Sequence, residues 1–230
     1  MKYLYLHNCD LVGVIFDFEK GQGSFPPILN KLSDLDFGHL NELIHIWNIK
    51  NCPQQAMTSS FQNLTSLQLS SCPRLSYIFP PSIAKLLVAL ESINISSCES
   101  MQVIVAKEEK DENMNDVSVL LSFLHLRYIF LMEMKKLSCF SHQPNCTISF
   151  PSLERVKISG CPMLETFVTV AAMSGEDTHK LKQVEDSYIP QHQLSKWLGD
   201  INTTILHNFQ LKQVPLSSNQ SLSFLHNMTY

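Results

Sequence analysis

An α/β solenoid is the fold this sequence predicts, and three observations carry the prediction. Apolar side chains recur in one fixed template along most of the 230 residues. The tightest part of that template alternates with the period of a strand. The chain holds 31 leucines against only seven glycines, so it is rich in core material and poor in the loops that cradle phosphates. No stretch has the spacing of a P-loop or of a dinucleotide fingerprint, which leaves nucleotide chemistry without a site. Hydrophobic residues at 44 % and charged ones at 17 % argue for extensive burial rather than disorder. Seventeen basic against 21 acidic side chains, a net charge of -4, argue against strong non-specific binding to nucleic acid or to a membrane surface.

The template is clearest from Phe150, where offsets 0, 3, 6, 8, 11, 14 and 17 are Phe150, Leu153, Val156, Ile158, Cys161, Leu164 and Phe167. From Phe61 the same offsets are Phe61, Leu64, Leu67, Leu69, Cys72, Leu75 and Ile78. Leu87 opens Leu90, Ile93, Ile95, Cys98, Met101 and Ile104, and Phe123 opens Leu126, Ile129, Leu131, Met134, Leu137 and Phe140. A frame from Leu29 runs through Leu32, Leu35, Phe37, Leu40, Leu43 and Ile46, and Met1 enters partway through an earlier copy carrying Leu4, Leu6, Cys9, Val12 and Ile15. Six copies spaced 26 to 36 residues apart, each reading L-x-x-L-x-L-x-x-C-x-x-L, form a leucine-rich-repeat signature.

The physics of that signature fixes the architecture. In x-L-x-L-x the two apolar residues lie on one side of an extended strand, while the other apolar offsets turn inward from the return segments. One coil cannot cover its own apolar side; stacked coils do so, and their strands join into one parallel sheet on the concave face of a horseshoe. The uneven spacing assigns length variation to the convex side, where short helices, 3₁₀ turns and loops are expected. Cys9, Cys72, Cys98 and Cys161 follow the strands and are expected to stack as buried thiols rather than metal ligands, because no C-x-x-C or H-E-x-x-H spacing accompanies them. Cys72 and Cys98 fall in neighbouring coils, but parallel side-chain vectors make a disulfide between them improbable. The acidic run from Lys107 to Asp116 reads as a solvated convex insert.

Beyond Phe167, Thr178, Leu181 and Val184 keep the first offsets of a degraded seventh copy. The solenoid is therefore assigned to residues 1–186. A terminal repeat needs a polar-faced cap, and Asp200 followed by Ile201, Ile205 and Phe209 has the pattern of a capped amphipathic helix, so 187–212 is read as the closing element. Residues 213–230 are serine-rich and polar and read as a poorly ordered tail.

Strand alternation also names the candidate binding residues. When offsets 6 and 8 point inward, 5, 7 and 9 point outward. Copy by copy these are Tyr3, Tyr5, His7; Asp34, Asp36, Gly38; Ser66, Gln68, Ser70; Ser92, Asn94, Ser96; Tyr128, Phe130, Met132; and Arg155, Lys157, Ser159. The candidate partner-binding set is Tyr3, Tyr5, Asp34, Asp36, Gln68, Asn94, Tyr128, Phe130, Met132, Arg155 and Lys157. It grades from an acidic stripe to a basic one about 20 Å away, over a polar floor with an apolar patch beside the basic end. Three large apolar side chains facing out of one copy have the character of hot-spot material.

Certain phrases carry a resemblance beyond the repeat itself: FPSLERVKISGCPMLETF at Phe150 to Phe167, FQNLTSLQLSSCPRLSYIFPPSIAKLL at Phe61 to Leu87, LESINISSCESMQVIVAKEE at Leu90 to Glu109, and WLGDINTTI at Trp197 to Ile205. Through them the chain resembles the C-terminal leucine-rich region of plant intracellular immune receptors of the coiled-coil, nucleotide-binding, leucine-rich-repeat type, over roughly residues 1 to 210. The resemblance implies a recognition and autoinhibition module in plant defence. Its partners would be a pathogen effector or modified host protein and, within a longer chain, the receptor's own nucleotide-binding domain. The chain lacks the coiled coil and phosphate loop of such receptors, so activation by nucleotide exchange does not carry over to it.

The same residues bear on other functional classes. A leucine-rich substrate adaptor of a ubiquitin ligase is the main alternative, and an F-box-like helical segment before the repeats would mark it. Six N-x-S/T sequons, at Asn63, Asn94, Asn145, Asn202, Asn219 and Asn227, suggest an extracellular ectodomain, but the first residues form no signal peptide. Seven cysteines, an odd number, favour reduced thiols and a cytoplasmic location, and no apolar run is long enough to span a membrane. An enzyme would rest only on nine scattered histidines, with no nucleophile elbow or paired base, so no catalytic residue, metal or cofactor is expected.

Overall fold

Where the sequence alternates x-L-x-L-x, the chain forms a five-residue strand, and six such strands stand side by side: β1 Tyr3–His7, β3 Asp34–Gly38, β5 Ser66–Ser70, β6 Ser92–Ser96, β9 Tyr128–Met132 and β12 Arg155–Ser159. The structure is a computed structural model that describes residues 2–18, 27–49, 61–107, 119–141, 146–164, 167 and 183–186. The last segment is β13, Gln183–Asp186. All seven strands are parallel in the order β1-β3-β5-β6-β9-β12-β13. Register is kept at every step: Leu35 stands opposite Leu67, Leu67 opposite Ile93, Ile93 opposite Ile129, and Ile129 opposite Val156. Val184 continues the row beside Val156. This is a leucine-rich-repeat solenoid.

Every template position of the five complete frames is buried, so the apolar offsets do form one continuous core. Full burial of a leucine or isoleucine is worth about 1.5–3 kcal/mol, and each coil supplies several. Aromatic rings fill the wide parts of the stack. Trp47 packs against Phe16 and edge-on to Phe61, with ring centroids 4.8 and 4.7 Å apart, and Phe140 packs edge-on to Phe150 at 5.2 Å. In the first copy Leu4, Leu6, Cys9, Val12 and Ile15 are only partly buried, because a coil lies on one side of them.

One backbone device recurs at each strand end. Asn8, His39, Ser71, Ser97, Glu133 and Gly160, each the residue after its strand, all have positive φ, between 52° and 66°. The left-handed residue turns the chain so that the next side chain enters the core. Its N–H donates to the last strand carbonyl of the following coil: Asn8 to Gly38, His39 to Ser70, Ser71 to Ser96, Ser97 to Met132 and Glu133 to Ser159, at 2.8–3.0 Å. The inward residue is Cys9, Leu40, Cys72, Cys98, Met134 or Cys161, so the cysteines share their column with Leu40 and Met134, and only Cys72 and Cys98 are direct neighbours. Each thiol donates to the carbonyl two residues back, as from Cys72 to Ser70 at 3.5 Å and Cys98 to Ser96 at 3.4 Å. That explains cysteine here: it fills an apolar site and still offers a weak donor. The Cys72 contact and burial push the Cys98 thiol well up, which keeps it a neutral thiol, and both cysteines are free.

The return segments hold the expected short pieces, a 3₁₀ turn at Pro27–Lys31 and a single-turn helix α1 at Pro81–Ala84, whose first proline pre-sets a helical φ. They also hold more extended structure than the sequence suggested. β2 Val14–Asp17 pairs with β4 His45–Asn48, β7 Val103–Val105 with β10 Cys139–Ser141, and β8 Val119–Ser122 with β11 Cys146–Ser149, all parallel. Once the main sheet sets coil against coil, return segments at matching positions also lie side by side, and pairing satisfies backbone groups that would otherwise be buried unbonded. Glu108 to Asp116 of the acidic run, Thr178, Leu181, the closing element 187–212 and the tail 213–230 lie outside the described residues. Among the described residues no helix is long and apolar enough to cross a membrane.

Two expectations follow from the packing. Leu67→Ala should cost about 2–5 kcal/mol, while Leu67→Asp or Ile158→Asp, which force a carboxylate into the stack, should abolish cooperative thermal unfolding. An unchanged melting temperature for either aspartate variant would contradict the inward assignment. At the strand ends the signs should oppose. Ser97→Gly at φ 54° should stabilise by about 1 kcal/mol in denaturant titrations. Gly160→Ala should destabilise, since at φ 66° its new Cβ would lie 2.6 Å from the Glu133 carboxylate.

Candidate recognition face

Alternation along the six repeat strands turns eighteen side-chain positions away from the core, as three rows that cross the sheet. Tyr3, Tyr5, Gln68 and Arg155 are exposed, while Asp34, Asp36, Asn94, Tyr128, Phe130, Met132 and Lys157 are half-buried against their neighbours. The register brings all eleven candidate residues onto one face. The first row is Tyr3, Asp34, Ser66, Ser92, Tyr128, Arg155; the middle row is Tyr5, Asp36, Gln68, Asn94, Phe130, Lys157.

The face has internal order. On β1 the Tyr3 and Tyr5 rings stack at 6.1 Å, and on β9 the Tyr128 and Phe130 rings stack at 6.5 Å with planes 3° apart. Stacking along a strand holds each ring upright and leaves its outer side open. Between the two aromatic columns lies a floor of small polar groups, in which Ser92 Oγ donates to Ser66 Oγ at 3.2 Å. Asp36 is engaged: its Oδ1 lies 2.9 Å from His7 Nε2. The Asp34 carboxylate accepts from Ser33 Oγ at 2.5 Å.

At the basic end the structure changes the expected picture. β13 lies beyond β12, so Arg155 and Lys157 are not the last stripe; Arg155 stands opposite Gln183 and Lys157 opposite Glu185. The rim also contributes residues that sequence reasoning missed. Arg127 lies over the Tyr128 ring, 5.3 Å from its centroid, and donates through Nε and Nη2 to Glu154 Oε1 at 3.0 and 2.8 Å. The Glu154 carboxylate pushes the Arg127 pKa above the ordinary arginine value. The signal was present in the sequence, as Arg127 and Glu154 occupy the same offset of consecutive copies directly before Tyr128 and Arg155. On the opposite rim Glu42 pairs with Arg74 and Glu99 with Lys135, each pair bridging two coils. Lys135 holds the Glu99 carboxyl below its usual range, and Glu99 raises Lys135 in turn. All these rim pairs are solvent-exposed and orient side chains more than they stabilise the fold.

His7 and Gly38 belong to the outward triplets but not to the candidate partner-binding set. A Cβ at Gly38 would lie 2.5 Å from His7 Nδ1 and 2.7 Å from Ser70 Oγ. The missing side chain at Gly38 leaves the space that the imidazole fills where it meets Asp36. Among the described residues no group of three or more His, Cys, Asp or Glu side chains is placed to hold a metal ion. The arrangement offers shape, charge and aromatic surface, which suits binding.

A family model for the leucine-rich repeats of plant disease resistance protein RPS2-like matches residues 1–99 and 85–186. No curated protein and no solved structure matches the chain.

Gly38→Ala should displace the His7 ring and release Asp36, at a stability cost below about 1.5 kcal/mol. The His7 imidazole ¹⁵N shifts report the contact directly. Shifts identical to those of the parent chain would show that the glycine is not what seats His7.

Proposed function

The chain belongs to the family of leucine-rich repeats of plant disease resistance protein RPS2-like, and from that premise we propose that its sheet face recognises a protein partner in plant defence. The partner is a pathogen effector or a host protein modified by one. Where the repeats form part of a longer receptor, the same module contributes to autoinhibition by holding the receptor's nucleotide-binding domain. It works in the cytoplasm, where its thiols stay reduced.

One observation carries the reading. Tyr128, Phe130 and Met132 all turn out of a single strand, only half-buried, in the middle of the sheet rather than at an edge. An isolated apolar side chain on a surface needs no explanation, but a column of three, with Arg127 and Arg155 beside its Tyr128 end, is the composition of an interface core. Aromatic residues bury large area with few rotors to freeze and arginine offers a planar fork of donors, so a small number of them dominates an interface.

Phe130→Ala and Arg155→Ala should each weaken partner binding by roughly tenfold or more, or release autoinhibition in a full receptor, with the melting temperature unchanged. Glu108→Ala, in the acidic run, should leave binding as it was. Hydrogen exchange on a complex should show protection on β5, β6, β9 and β12; protection confined to the acidic run and the C-terminal segment would refute the assignment.

A further inference from the structure

We infer that the face binds its partner through an extended peptide segment, laid across the strands along the first row, with a basic residue over Asp34 and an acidic residue over Arg155. The inference rests on the sheet face being the recognition surface, and adds what chemistry it selects and in which orientation.

The charges of the face are unequally satisfied. In the middle row Asp36 is taken by His7, which leaves Lys157 as the charge of that row without an ion pair among the described residues. On the rims Arg127 is paired with Glu154, Arg74 with Glu42 and Lys135 with Glu99. In the first row, among the described residues, Asp34 has only the Ser33 hydroxyl and no cation, and Arg155 has no carboxylate partner. The first row is thus the one that carries an uncompensated charge of each sign, four strand spacings apart on β3 and β12. At ~4.8 Å per spacing they are separated by about 19 Å.

What lies between them selects the form of the ligand. Ser66 and Ser92 sit in the row and Gln68 and Asn94 beside it, a floor of polar side chains that both donate and accept. An extended segment has free backbone N–H and C=O groups to offer such a floor, whereas a helix has already spent its own. Tyr128 follows one strand before Arg155, so an apolar residue is wanted close to the acidic end. At ~3.3 Å per residue the row spans about six residues, and side chains two apart share a face. A basic residue at position 1, an apolar one at 5 and an acidic one at 7 therefore all face the sheet, over Asp34, Tyr128 and Arg155.

The test uses two peptides of identical composition with blocked termini, acetyl-KSGSFSE-amide and acetyl-ESGSFSK-amide, titrated into the full 230-residue chain and followed by amide chemical shifts. In the second peptide, seating the phenylalanine on Tyr128 brings lysine onto Arg155 and glutamate onto Asp34, so the first should bind roughly tenfold tighter at low salt, with the gap closing as salt rises. The double variant Asp34→Lys with Arg155→Glu should reverse the order, and as both sites are surface positions its melting curve should match the parent. Equal affinities, or a preference that the double variant leaves unchanged, would overturn the charge orientation while shifts on β5 to β12 kept the recognition face standing. No shift on the sheet with either peptide would overturn both.

Discussion

The structure depends on one constraint: a coil of this solenoid cannot shield its own apolar residues, so its stability resides in the coils above and below. Leu67 is fully buried because Leu35 and Ile93 flank it, and those in turn need their neighbours. Hydrogen bonding follows the same rule. The strand bonds run between coils, and so do the bonds at the strand ends, where a left-handed residue gives its N–H to the next coil. At the strand starts the carbonyls of Lys2, Ser33, Thr65, Glu91 and Arg127 each accept two N–H groups from the following coil. Apolar burial and backbone pairing are therefore satisfied by the same act of stacking, and any slip in register loses both.

That coupling is what makes the face usable. A strand with both ends pinned and its inward residues interlocked has little freedom, so the outward side chains are presented at fixed spacing. Stacked rings, the His7 contact with Asp36 and the Arg127 position over Tyr128 are details written on that grid. Variation in the face costs the fold little, since an outward residue can change without touching the core. The chain uses this freedom unevenly: small polar residues occupy β5 and β6, and large apolar ones β9. A surface whose middle strands carry unlike chemistry can discriminate among partners by position as well as by type.

The cysteine column shows how a local rule and a stacking rule meet. The turn after each strand must send one side chain inward beneath a strand-end carbonyl that lacks a full set of partners. Cysteine fills the space and donates weakly, while Leu40 and Met134 at the same station only fill it. The pattern tolerates the exchange because packing, not the thiol bond, supplies most of the energy.

The sequence by itself determined which side chains face in and which face out. Offsets such as Phe123, Ile129 and Leu131 are buried, and Tyr128, Phe130 and Met132 turn away, because strand alternation is a property of neighbouring residues and needs no knowledge of the rest of the chain. What lies beside what was decided only by the tertiary structure. The extra ladders on the return segments, the seating of His7 over Gly38, the arginine over Tyr128 and the strand beyond Arg155 all join residues of different coils. Those coils are separated by 26 to 36 residues of uneven length, so the lateral neighbours exist only after the stack has closed.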